Sequence, residues 1–102
     1  MKSRHNDVEK FVVYGLLDTY HSLGEYKFKI VLNPKHFKNS HDLDVQMNDS
    51  DGETLKFKME RWGRKMNVSF TLDDDVSDGI TVIMLLDKTG NVISRLSAWI
   101  IK

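Results

Sequence analysis

Arg61-Trp62-Gly63-Arg64-Lys65 sets one indole ring among cations. Such a grouping suits stacking on a sugar or base and contact with phosphate or carboxylate. Lys56 and Lys58 precede it on the same run, and Asp44 and Glu60 are placed to neutralise part of it. Trp62 reads equally as a cap on the end of an apolar core. A second group, Asp73-Asp74-Asp75-Val76-Ser77-Asp78-Gly79, offers oxygen ligands but lacks the D-x-D-x-D-G spacing of a calcium loop. It is read as a solvated connection between strands. The 4 histidines, His5, His21, His36 and His41, have no pair at metal-ligand spacing. No serine sits in a G-x-S-x-G setting. No metal, no cofactor and no catalytic residue is expected, and the chain is read as no enzyme.

These groups must be carried by strands. Tyr26, Phe28, Ile30 and Leu32 alternate with Lys27, Lys29 and Val31, and Met66, Val68, Phe70 and Leu72 alternate with Asn67, Ser69 and Thr71. Apolar residues at period two define a half-buried strand. Leu43, Val45 and Met47 repeat the pattern, as do Leu55, Phe57 and Met59, while residues 80–86 and 92–101 are apolar almost throughout. A loop at Ser50-Asp51-Gly52 would pair Asp49 with Glu53 and Val45 with Phe57, keeping every apolar residue on one face. A Trp62-Gly63 loop would pair Met59 with Met66. In the last hairpin Asp87 would face Asn91, and Gly52 and Gly90 are expected at positive φ. Phe11 to Tyr14 reads as a strand ending near a bulge at Gly15, although Asn6-x-x-Glu9 also resembles a helix capping box.

That last register divides residues 80–86 into two faces. With Ile80, Val82, Met84 and Leu86 turned to the core, the other face carries Ile83 and Leu85. The final strand adds Ile93, Arg95, Trp99 and Ile101 to it. A sandwich needs one apolar face per sheet, so a second one implies a contact with something else. These six residues are the candidate partner-binding surface, and a charge at Ile83 is expected to leave folding intact. The alternative is that the N-terminal segment covers them. The second candidate surface, for a polyanion or carbohydrate, is Arg61, Trp62, Arg64 and Lys65.

Composition narrows the field. With 102 residues, 40% of them apolar, the chain matches one small domain; residues 1–7 are read as a flexible tail and 8–102 as the sandwich. There is no cysteine, which excludes disulfides, thiolate chemistry and cysteine-held zinc. The 15 basic and 15 acidic side chains cancel, so bulk charge attracts neither nucleic acid nor membrane. No apolar run follows the basic start, and none approaches membrane-spanning length, so neither a leader nor membrane insertion is expected from the sequence as given. The compartment is left open.

The segment Asp78-Gly79-Ile80-Thr81-Val82, then Asp87-Lys88-Thr89-Gly90-Asn91 and an alternating terminal strand, resembles the closing hairpin of bacterial immunoglobulin-like modules. The spacing of about seven strands in about 100 residues fits the same class. The resemblance implies an all-β, antiparallel two-sheet sandwich that serves as a spacer, adhesion or assembly module. Its expected partner is another protein or a second copy of itself.

Overall fold

The computed structural model describes the backbone of residues 3–5 and all of residues 10–102. Two sheets face one another. Among the described residues, the first has five strands in the order β1-β2-β4-β7-β6 and the second four in the order β3-β9-β8-β5. Seven strands are four residues or longer: β2 (Phe11–Tyr14), β4 (Gly24–Leu32), β5 (Asp44–Asn48), β6 (Phe57–Trp62), β7 (Lys65–Leu72), β8 (Gly79–Leu86) and β9 (Val92–Ile100). Two short pieces join them. β1 (Ser3–His5) pairs with β2, and β3 (Thr19–Tyr20) lies parallel to β9; the other pairings are antiparallel. Val8 and Glu9, and residues 1, 2, 6 and 7 of the expected tail, fall outside the described residues, as does the Asn6-x-x-Glu9 motif.

Alternation becomes burial. Phe28, Ile30 and Leu32 of β4 and Met66, Val68, Phe70 and Leu72 of β7 are buried. Lys65, Asn67 and Thr71 are exposed between them. Tyr20, Tyr26 and Phe70 close one end of the core with ring centroids 4.7–5.9 Å apart, within the range of favourable edge and tilted packing.

Three registers differ from the sequence expectation. The turn at Asp49 forms as expected: Asp49 N–H donates to Glu53 O at 2.9 Å, and Gly52 has φ +82°. Pairing then stops. After Leu55 N–H donates to Met47 O, the chain crosses to the other sheet. Thus β5 pairs with β8, β6 pairs with β7, and Val45 does not face Phe57. Both arrangements point the same residues at the core, so alternation alone cannot separate them. The next turn uses Gly63-Arg64 rather than Trp62-Gly63, which brings Trp62 opposite Lys65 and Met59 opposite Val68.

The third difference has the largest consequence. The β8–β9 turn closes as expected, with Asp87 N–H donating to Asn91 O at 2.9 Å and Gly90 at φ +87°. Leu86 pairs with Val92, but Leu85 then pairs with Ser94, so Ile93 is an extra residue in a bulge. A one-residue bulge changes which residues of one strand share a face with the other. Ile83 and Leu85 therefore enter the core at 1% and 0% exposure, and the expected core residue Val82 turns outward.

Candidate interaction surface

The outer face of the four-stranded sheet is built on β8. Ile80, Val82, Met84 and Leu86 form its central row. Trp99, Ser97 and Arg95 of β9 stand opposite the first three, and Asn48, Gln46 and Asp44 of β5 stand opposite the last three. Ile80 is 42% exposed and Trp99 50% exposed, while Val82, Met84 and Leu86 are half-buried by their neighbours. The result is an apolar row with a polar border: Arg95 and Ser97 on one side, and Asp44, Gln46 and Asn48 on the other. An apolar centre with a polar rim is the usual anatomy of a protein interface.

Of the six residues expected on this surface, Arg95, Trp99 and Ile101 are exposed. Ile83 and Leu85 are core residues and Ile93 packs against the core, so these three leave the surface. The residues missed, Ile80, Val82, Met84 and Leu86, were assigned to the core because residues 80–86 are apolar on both faces. Only the bulge decides between those faces, and the unpaired Ile93 leaves no sequence signal of it.

The second surface changes as well. Arg61 is not a free ligand cation. Its Nη1 donates to the carbonyl oxygens of Ser40 and of Leu43 (2.7 Å for the latter), and its Nη2 meets Asp44 Oδ1 at 3.0 Å. Arg61 thereby ties β6 to the start of β5 across the open edge of the sandwich. Trp62, 76% exposed, Arg64 and Lys65 are free to meet a ligand at the hairpin tip. The tip backbone is anchored, since Gly63 O accepts from Ser40 N–H at 2.7 Å and Arg64 O from Leu32 N–H at 2.9 Å.

The acidic segment is a structured connection. Asp73 Oδ1 accepts from Asp75 N–H, and Lys102 Nζ donates to the carbonyls of Asp73 and Val76. The buried Asp49 joins this segment to the β5–β6 turn by accepting from the N–H groups of Asp51, Glu53 and Ser77. His21, His36 and His41 are exposed, and the His5 side chain lies outside the described residues.

Among the described residues, the carboxyls of Asp42 and Asp87 are held below their ordinary value of 3.8. Asp42 is held down chiefly by Lys88, whose ammonium lies 3.0 Å away, and by the Lys38 N–H. Asp87 is held down chiefly by the Thr89 hydroxyl, and by the N–H groups of Asn91 and Thr89. Asp87 closes its own turn, while Asp42 closes the turn at residues 39–42 and also meets Lys88 of another turn, so each charged form is favoured by donors that the folded chain brings together.

No family model and no curated protein matches the chain. Among solved structures it is similar to the filamin domain of Lin-41, with a TM-score of 0.67 and 18% identity over 89% of this chain and 91% of that one. Topology and likeness together define the class: the chain is an all-β, two-sheet sandwich of the immunoglobulin-like kind. At this identity the likeness is one of fold. The match bears on the immunoglobulin-like fold, and neither the bacterial origin nor the likeness of the closing hairpin gains anything from it.

Proposed function

We propose that this domain is a non-catalytic interaction module that binds another protein through the outer face of its four-stranded sheet. The observation that supports this reading is the row Ile80, Val82, Met84 and Leu86 beside the exposed Trp99. Five large apolar side chains side by side gain by leaving water together, at roughly 25 cal/mol per Å² of apolar area covered. Arg95, opposite Met84, supplies orientation, because a guanidinium drying in an interface needs a carboxylate or carbonyl partner. Such a surface holds its partner by one or two aromatic and arginine anchors, with the remaining contacts excluding water.

The test compares the domain with its Trp99→Lys variant, both immobilised, for proteins retained from an extract of the source cells. Proteins held by the first and lost by the second, with circular dichroism unchanged, support the reading. Identical sets retained by both overturn it.

A further inference from the structure

The zero net charge conceals a separation of charge along the molecule. Lys65, at the start of β7, and Leu72, at its end, are about 24 Å apart at the rise of an extended strand. Lys35, Lys38, Arg61, Arg64, Lys65 and Lys88 gather at the Lys65 end and outnumber Asp42, Asp44 and Asp87 there; the Ser40–Gly63 and Leu32–Arg64 hydrogen bonds and the Lys88–Asp42 pair hold the connections together. Asp49, Asp51, Asp73 and Asp78 gather at the Leu72 end, joined by the Asp49–Ser77, Asp51–Ser77, Ser50–Asp78 and Lys102–Asp73 contacts.

A groove of about 740 Å³ opens at the Leu72 end. It exists because β6 begins only at Phe57, opposite Phe70, while the chain before it is still crossing between the sheets. The last residues of β7 therefore run on without β6 beside them. Leu55, Phe57, Phe70 and Val76 contribute apolar surface to the groove, and Glu25, Glu53, Asp73 and Asp75 stand around it with Lys56 and Lys58. At the other end of the same hairpin Trp62 projects with 76% of its surface in water, followed by Gly63, Arg64 and Lys65.

We propose that the domain docks head to tail on a second copy of itself, Trp62 of one copy entering the groove of the next while Arg64 and Lys65 meet its acidic rim. The indole supplies a flat apolar body to set against Leu55, Phe57, Phe70 and Val76, and the groove is large enough to admit it. The flanking cations are opposite in sign to Glu25, Glu53, Asp73 and Asp75, which outnumber Lys56 and Lys58 around the groove, and this favours a cationic occupant over an anionic one. Both surfaces are built on β6, β7 and their connections, with Glu25 of β4 added at the groove, and lie at opposite ends. The contact is thus between unlike patches and does not close on itself; it continues as an open chain. A single aromatic anchor with a few rim charges makes a small interface, so association is weak and salt-sensitive. This inference goes beyond the sheet-face reading and shares no residue with it.

The test is sedimentation velocity of the full chain from about 0.01 to about 1 mM, the range in which small interfaces associate, at low and high salt. The expected result is a weight-average mass that rises past that of a dimer at low salt and falls back at high salt. Trp62→Ala and the double variant Glu25→Lys/Glu53→Lys change exposed positions, and each alone is expected to stay monomeric. Mixed together they are expected to form a dimer that grows no further, because Trp62→Ala retains the groove and the rim variant retains the tip. Trp99→Lys is expected to associate like the unaltered chain. A chain that stays monomeric at low salt overturns the proposal, as does a mixture that forms no dimer. A self-limiting dimer abolished by Trp99→Lys and not by Trp62→Ala overturns it in favour of the sheet face. Heparin binding that depends on Trp62, in a chain that does not self-associate, overturns it in favour of a polyanion.

Discussion

Thr81 stands on the inward face of β8 at 2% exposure, opposite Ala98, and its hydroxyl has no hydrogen-bond partner among the described residues. A buried hydroxyl without a partner costs about 1–3 kcal/mol, whereas a methyl of the same shape costs nothing to desolvate. Thr81→Val is therefore expected to stabilise the fold by about 1 kcal/mol, read as a higher midpoint in urea with an unchanged slope. A lower midpoint would mean that the hydroxyl is satisfied by bound water. Arg61 shows what single residues conceal in sequence. Its neighbours Trp62 and Arg64 suggest a ligand site, but its partners Ser40 and Leu43 lie 21 and 18 positions away. A cation's partner depends on which edges the fold brings together, and alternation does not specify that.

The elements were legible where one face is polar. β4 and β7 carry lysine, asparagine, serine or threonine between their core residues, so their faces follow from composition. β8 has no polar residue between Val82 and Leu86, and its face is set by the bulge at Ile93. The turns were legible for a different reason. Asp-rich and Gly-containing loops announce their chemistry locally, and the β5–β6 and β8–β9 turns both close where expected. Turn chemistry also gives a pH dependence. Asp42 and Asp87 have folded pKa values below 3.8, so the stability they contribute is fully present above the unfolded value and is lost as pH falls through the folded ones. Urea midpoints should be nearly level from about pH 7 to about pH 5 with respect to these groups and fall below about pH 4. The double variant Asp42→Asn/Asp87→Asn should have a shallower acid slope. An unchanged slope would show that these turns do not hold the charged form.

At the scale of the whole molecule, the sandwich leaves two kinds of surface for other molecules: a sheet face with an apolar centre, and ends of opposite charge. Sheet assignment could not be read from the sequence, because β5 and β6 present the same residues inward whether they share a sheet or face each other across the core. The comparison that bears most directly on the sheet-face reading sets adjacent residues against one another, Val82→Lys against Ile83→Lys, with folding and partner retention both measured. Val82→Lys is expected to keep its unfolding midpoint close to that of the unaltered chain and to lose the partner. Ile83→Lys places an ammonium at a site 1% exposed, where an unpaired charge costs several kcal/mol out of the ~5–15 available to a small domain, and it is expected not to fold. An Ile83→Lys chain that folds and loses its partner, beside a Val82→Lys chain that keeps it, would contradict the account.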